Sequence, residues 1–452
     1  MHSIIQILKE KNVLDKKGPK YSTIESLRIR DIVDIAIEIS ENTKSNHKPA
    51  NNPLFSHAAS LGLGGSSIDC SYVNCRIERI RNLSRFALMY SDKVYVDNFF
   101  DGYKDLDSNE DLTLAKQNFT DDLMVINEIS SLIEKGYVEL FSTGKDICFS
   151  CQARQFIGDS AAKKLDRAYR KLKSDFLNEM SVKVELGYEG LDFICEGQAP
   201  YFDHEMVSAT RNVPEALIKR PSILKQIEKG NSVSISKALI KDLGLNEEYA
   251  HRIVSNSIFG LATSSCLSTT FLTDNDLHIK FLNSLNSNYE VSRRNLIAEK
   301  YLTTMVPFLE EIELKNLLKI RYREEEAFLL FRQALNKSID EFRSLHEGFT
   351  ENHAQSIYAD IIAPSLALLN TKVKKAKKDL ISNAYQTVTG IVGVISFGLL
   401  TGLVSSNISD IMKLLGLLKF SDFIKDTMAL SDYEKNIKSD QYYFLWKIKN
   451  AR

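Results

Sequence analysis

Six cysteines, a few aspartates at the ends of β-rich runs and one group of arginines are the residues whose types and spacing could do chemistry. Cys148 and Cys151 form a C-x-x-C, and Cys70 with Cys75 gives a looser pair separated by four residues. Two such short loops could turn four thiolates toward one tetrahedral zinc ion, at about 2.3 Å each. Buried or incidental cysteines are the commoner origin of such pairs, and a redox C-x-x-C is a further alternative. Asp97 follows the strand-like Val94-Tyr95-Val96, while Asp274 and Asp276 follow Thr-Thr-Phe-Leu and open a helical stretch. A parallel sheet would bring the ends of such strands to one edge, where clustered carboxylates could hold Mg²⁺ or Mn²⁺ and activate water against a phosphodiester. The ordinary role of an aspartate at a helix start is a cap.

Weaker groupings surround these. His204 lies between Asp203 and Glu205, but neighbours on a strand point to opposite faces, so a solvated loop accounts for them. Arg76, Arg79, Arg81 and Arg85 share a short helical stretch that could face phosphate, although pairing with acidic residues of the same chain explains it as well. Residues 62 to 67, Gly-Leu-Gly-Gly-Ser-Ser, are glycine-rich, but no strand is evident before them, and they read as a plain loop. No H-E-x-x-H, G-x-S-x-G or G-x-x-x-x-G-K-[ST] occurs, which removes the usual support for zincin, serine-hydrolase and P-loop chemistry.

The elements that must position these residues come from a chain of 452 residues, 44% hydrophobic and 26% charged, the balance of a globular protein. Its 58 basic and 59 acidic residues leave a net charge of -1, which argues against broad polyanion binding. The apolar run at Ile4 to Leu8 is too short for a secretory signal, and six cysteines are too few for a disulfide scaffold. A cytoplasmic setting with reduced thiols is the expectation.

The sequence predicts an α-rich chain: a mixed α/β or α+β N-terminal part and a long helical C-terminal region. Residues 1–66 read as a helical segment and a linker, the linker being the Asn-, Ser-, Pro- and Gly-rich stretch 41–66. Residues 67–295 alternate helical and strand-like runs and form the mixed α/β domain. Residues 296–384 read as a long helical hairpin turning near Gly348, with Leu314, Leu317, Phe328, Phe331 and Leu335 on its apolar face. Residues 385–452 combine a glycine-rich hydrophobic segment with an amphipathic tail.

The segment from Ala384 to Val404 holds no charge and has the length to cross a bilayer, though Tyr385, Gln386 and several threonines make it marginal. Lys374, Lys375, Lys377 and Lys378 precede it and could meet anionic lipid head groups at about 1 kcal/mol each. Gly398 and Gly402 form a small-xxx-small pair suited to close helix approach, in lipid or in self-association. A buried core helix is the competing reading. The leading expectation is a non-catalytic protein that assembles with a protein partner or itself, or contacts a membrane, through this C-terminal region. The alternative is a metal-dependent hydrolase or nuclease centred on Asp97, Asp274 and Asp276, with Mg²⁺ or Mn²⁺ as cofactor and a nucleic acid among the substrates. A structural zinc at Cys70, Cys75, Cys148 and Cys151 is compatible with either.

Overall fold

The computed structural model describes residues 3–44, 55–67, 72–107, 111–142, 161–187, 190–197, 206–210, 212–273, 278, 281–282, 313–345, 367, 371 and 437–450. The chain divides into two compact units, residues 1–87 with 91–296, and residues 88–90 with 297–452.

The first unit contains two four-stranded sheets. In the parallel sheet, β1 (Ser56–Ala59), β2 (Lys93–Asp97), β3 (Val138–Phe141) and β8 (Thr270–Leu272) lie side by side in the order β8-β1-β2-β3. Read from the other side this is third, second, first, fourth in chain order. Val94, Tyr95 and Val96 are all buried, as expected of a strand covered on both faces. Between β1 and β2 runs α3 (Val73–Met89), and between β2 and β3 runs α4 (Leu112–Glu134), whose N-cap Asp111 accepts from the amides of Thr113 and Leu114. The α4 residues Phe119, Leu123, Ile126, Ile129 and Leu132 recur at helical spacing and are buried.

Register assigns each helix to a face. His57 is level with Val94, and its ring meets Phe86 of α3 edge-on, 5.1 Å between centroids. The glycine-rich turn after β1 packs on that same face: a Cβ on Gly64 would lie 3.5 Å from Cβ of Val96, and one on Gly65 would lie 3.1 Å from Val125 of α4. On the opposite face, Phe271 is level with Ala58, and Ala58 with Tyr95. There α6 (Leu245–Leu267) approaches so closely that a Cβ on Gly260 would clash with the edge of the Phe271 ring, and Leu267 packs with Tyr95 and Phe141. The parallel sheet is therefore wound on both faces.

A long insertion separates β3 from β8. It carries the antiparallel sheet β6-β5-β4-β7, built from β4 (Met180–Leu186), β5 (Leu191–Gly197), β6 (Met206–Thr210) and β7 (Val233–Ser234). Met180, Val182, Val184, Leu191, Phe193 and Cys195 alternate onto one buried face, in a cluster with Phe176, Leu177, Tyr249 and Ile253. Those partners come from α5 (Ala161–Glu179) and α6. The period-two pattern of the strands and the helical stripe of α5 thus close a second core, with roughly 1.5–3 kcal/mol for each large apolar side chain buried.

N-terminal to β1, α1 (Ile4–Glu10) starts at an N-cap Ser3, and α2 (Ile29–Lys44) follows as a 16-residue amphipathic helix. The stretch 41–66, expected to be a connection, therefore contains β1 and lends it to the sheet.

In the second unit, the run expected to be one helix is broken at Glu324 (φ -115, ψ 42) into α7 (Leu314–Arg323) and α8 (Glu325–Leu345). Phe328 and Phe331 meet Phe444 of α9 (Tyr443–Lys449) at 5.5 and 6.0 Å between ring centroids. The guanidinium of Arg321 lies 3.3 Å from the centre of the Phe328 ring, and that of Arg332 lies 5.0 Å away. Of the expected second helix near residues 350–385, only Ala367 and Thr371 are described, both helical. Lys374, Lys375, Lys377, Lys378, Gly398 and Gly402 lie outside the described residues. Among the described residues, no helix is long and apolar enough to cross a membrane.

Candidate functional site

All four parallel strands run the same way, so their carboxyl ends meet at one edge. Asp97 pairs with Phe141, Ala58 with Tyr95 and Leu272 with Ala59. One step further along each strand, this register sets Thr273, Ser60 and Asp97 level with Phe141. The amide of Ser60 donates to the carbonyl of Leu272 at 2.7 Å, continuing the β1–β8 pairing to that level. The chain leaves β1 through α3 on one face and enters β8 from α6 on the other. The point where the winding reverses lies between β1 and β8, and in doubly wound sheets the crevice outside the carboxyl ends at that point is where ligands bind.

Asp97, half-buried as a residue, stands at this edge. Burial pushes the Asp97 carboxyl up to about 7, and the nearby charge of Asp101 pushes the same way. The backbone N–H of Asn98 and the ammonium of Lys104 oppose the shift without cancelling it. A carboxyl balanced in this way can exchange a proton near neutrality or, as the anion, accept hydrogen bonds from ligand hydroxyls.

Beside it, Asp101 serves a structural purpose. Its Oδ1 accepts from Ser40, from Asn98 Nδ2 at 3.1 Å, from Ser142 at 3.2 Å and from Lys104 Nζ at 2.9 Å. Thr43 and Ser142 are hydrogen-bonded at 2.8 Å, and Asn98 Nδ2 also reaches Ser142 at 2.9 Å. This buried polar network ties the end of α2 to the ends of β2 and β3. Ser40 and Thr43 sit one helical turn apart, so both hydroxyls face the sheet edge.

The glycine-rich turn is fixed from within and from below. Gly64 N–H donates to Ser60 O, Gly65 N–H to Gly62 O and Ser66 N–H to Leu61 O, at 2.9–3.0 Å. Gly65 has φ +81, which an L side chain tolerates poorly. Under the turn, Arg76 Nε donates to Gly65 O at 2.8 Å, and its Nη2 pairs with Asp122, which also accepts from Tyr103 OH. Burial raises Asp122 above the ordinary carboxylate range, opposed by Arg76 and the Tyr103 hydroxyl. The arginine group thus resolves into Arg76 in this buried pair and Arg81 in a fork on Glu128 at 2.8 and 3.1 Å.

One pair at the edge carries no sequence motif. Thr273 Oγ1 and His278 Nδ1 are 2.8 Å apart at the end of β8, both buried. The available sequence signal was position alone, in the same Thr-Asp-Asn-Asp-Leu-His stretch that holds Asp274 and Asp276. Of the sequence-predicted site residues, Asp97 is placed at the edge, while Asp274 and Asp276 lie outside the described residues. Cys75 is exposed; Cys70, Cys148 and Cys151 lie outside the described residues. Among the described residues there is no group of three or more His, Cys, Asp or Glu that could hold a metal ion. No protein-family model, curated protein or solved structure matches the chain.

Proposed function

We propose that the first unit is a nucleotide-binding enzyme domain whose ligand lies across the carboxyl edge of the parallel sheet, with Asp97 holding the ribose. The observation that carries this reading is the layout: strands in the order third-second-first-fourth, a glycine-rich turn after the first strand, and an aspartate ending the second. In dinucleotide-binding sheets of this order, the turn after the first strand lets the phosphates approach and an acidic residue on the second accepts from the ribose hydroxyls. Here Ser67 stands where the third glycine of that fingerprint falls, and Gly65 supplies the close packing of turn and helices instead.

The test is calorimetric titration with AMP and with its 2′,3′-dideoxy analogue. Loss of a hydrogen bond to a charged group costs about 1.5–3 kcal/mol, so Asp97→Ala should weaken AMP binding roughly 10- to 100-fold and the dideoxy analogue little. Equal AMP affinity in both proteins would refute the assignment. The metal-dependent hydrolase reading shares Asp97; manganese binding that depends on Asp97, with hydrolysis of bis(p-nitrophenyl) phosphate, would favour it instead.

A second reading, association through the C-terminal half, has one observation in its favour. Tyr322 is 74% exposed at the end of α7, and Leu329 and Leu330 on α8 are partly exposed, apolar surface that a partner could cover.

A further inference from the structure

We propose that the exposed face of α5 binds the sugar–phosphate backbone of duplex nucleic acid, without regard to base sequence. None of its residues takes part in the ribose site at Asp97. A charge asymmetry hidden by the chain-wide balance marks this face. Basic and acidic residues number 58 and 59 over the whole sequence, yet residues 161–173 hold six cations, Lys163, Lys164, Arg167, Arg170, Lys171 and Lys173, and one anion, Asp166.

The helix sorts these residues by face. At about 100° per residue, Lys163, Lys164, Arg167, Arg170 and Lys171 fall within about 120° of the helix circumference, together with Ser174 and Asn178. All seven are exposed, and Asp166 is the only other exposed residue of α5 among those described. The opposite side is spent on the second core, where Phe176 and Leu177 are buried and Leu165 and Leu172 pack against them. Lys173 leaves the stripe to pair with Glu247 at 2.9 Å. From Lys163 to Asn178 the stripe is about 22 Å long, and at its end Lys237 Nζ donates to Asn178 Oδ1 at 3.5 Å, so the cation that opens the short helix Lys237–Asp242 extends it.

The composition of the stripe selects its partner. None of its seven residues on α5 is apolar or aromatic. It therefore has nothing to bury among lipid chains or in the core of a protein interface, and no ring on which to stack an unpaired base. Arginine forks, lysine ammonium groups and short hydroxyl and amide side chains along a straight rod are the set that contacts phosphate, and such contacts carry no sequence information. Two of the cations have acidic neighbours on the same helix, Arg170 with Asp166 and Lys171 with Asp175 at 3.1 Å. The Arg170 and Lys171 side chains are 71% and 76% exposed, and ion pairs so exposed are weak enough for a phosphate to take the place of the carboxylate.

The experiment is fluorescence anisotropy of a labelled DNA duplex of about 20 base pairs titrated with the full chain. Five phosphate contacts give log K a slope of about -4 to -5 against log salt, so raising NaCl from about 50 to 200 mM should weaken binding roughly 250- to 1,000-fold, equally for two duplexes of unrelated sequence. This slope is read on the native protein and needs no variant to fold. Arg167→Ala should make the slope shallower by about 1. Arg167→Glu combined with Arg170→Glu should weaken binding at least about 10-fold at the lower salt, while Lys16→Glu, which reverses an exposed lysine near the N terminus, should leave it within about 2-fold. No saturable binding of the duplex at the lower salt, a slope shallower than about -2, or binding unchanged by the double charge reversal would overturn the assignment. Flotation with phosphatidylserine vesicles in the absence of duplex binding would overturn it too, and give the face to a membrane surface.

Discussion

Replacing Asp97 by Asn tests the electrostatics of the site without knowledge of any ligand. In the native fold the Asp97 carboxyl titrates at about 7, whereas in the unfolded chain it has the ordinary value near 3.8. Between those values the folded state holds a proton that the unfolded state has released, so stability falls as pH rises, by about 1.4 kcal/mol per pH unit. Below about pH 4 both states are protonated and the effect vanishes; above 7 both are ionised and it is constant. From pH 5 to pH 8 the native protein therefore loses about 2–3 kcal/mol that the non-titrating amide does not. The stability advantage of Asp97→Asn over the native protein should grow by that amount across the interval. Other titrating groups are common to both proteins and largely cancel, apart from Asp101 and Lys104, whose charges act on Asp97. Urea unfolding at the two pH values, followed by far-UV circular dichroism with hydrogen exchange on β2, measures the difference. Fluorescence is unsuitable, because the single tryptophan, Trp446, lies in α9 of the second unit. A difference between the two proteins that stays constant within about 0.5 kcal/mol would refute the account of a desolvated carboxyl at this edge.

Other perturbations address the frame that holds the site. Gly260→Ala drives a methyl into the Phe271 ring and should cost about 1–3 kcal/mol in urea unfolding; an unchanged midpoint would mean that α6 does not press on β8 as described. Arg76→Ala leaves Asp122 buried without its cation and should cost about 3–5 kcal/mol, a loss under 1 kcal/mol being inconsistent with a buried pair under the turn. Gly65→Ala combines φ +81 with a 3.1 Å approach to Val125 and should cost about 1–3 kcal/mol, read by thermal unfolding. For the C-terminal half, Leu329→Glu with Leu330→Glu should shift the sedimentation profile toward a smaller species; an identical profile would count against association through α8.

Much of the frame is legible in residues alone. Lys93–Val96 and Tyr137–Phe141 are β-rich runs that form β2 and β3, and the apolar stripe from Leu123 to Leu132 is the buried face of α4. Asp97 could be singled out because it ends such a run. By contrast, β1 is Ser-His-Ala-Ala, without a β-branched or alternating signal, and it is a strand because β2 and β8 pair on both sides of it. Without that strand the glycine-rich turn loses its context and looks like a plain loop. The placement of Thr273 and His278 at the edge depends on the same pairing, Thr270 with His57, which joins residues more than two hundred positions apart and leaves no local trace. The break at Glu324 is equally silent, since the apolar spacing on either side of it remains helical.

The central claim, that a ribose is held by Asp97 at the edge where the winding reverses, is tested most directly by a thermodynamic cycle on two changes. AMP and 2′,3′-dideoxy-AMP are titrated into the native chain and into Asp97→Ala. The account predicts that removing the hydroxyls weakens binding to the native protein roughly 10- to 100-fold and makes little difference to the variant, a coupling of about 1.5–3 kcal/mol. Additive effects, or no saturable binding of AMP by the native protein, would contradict it.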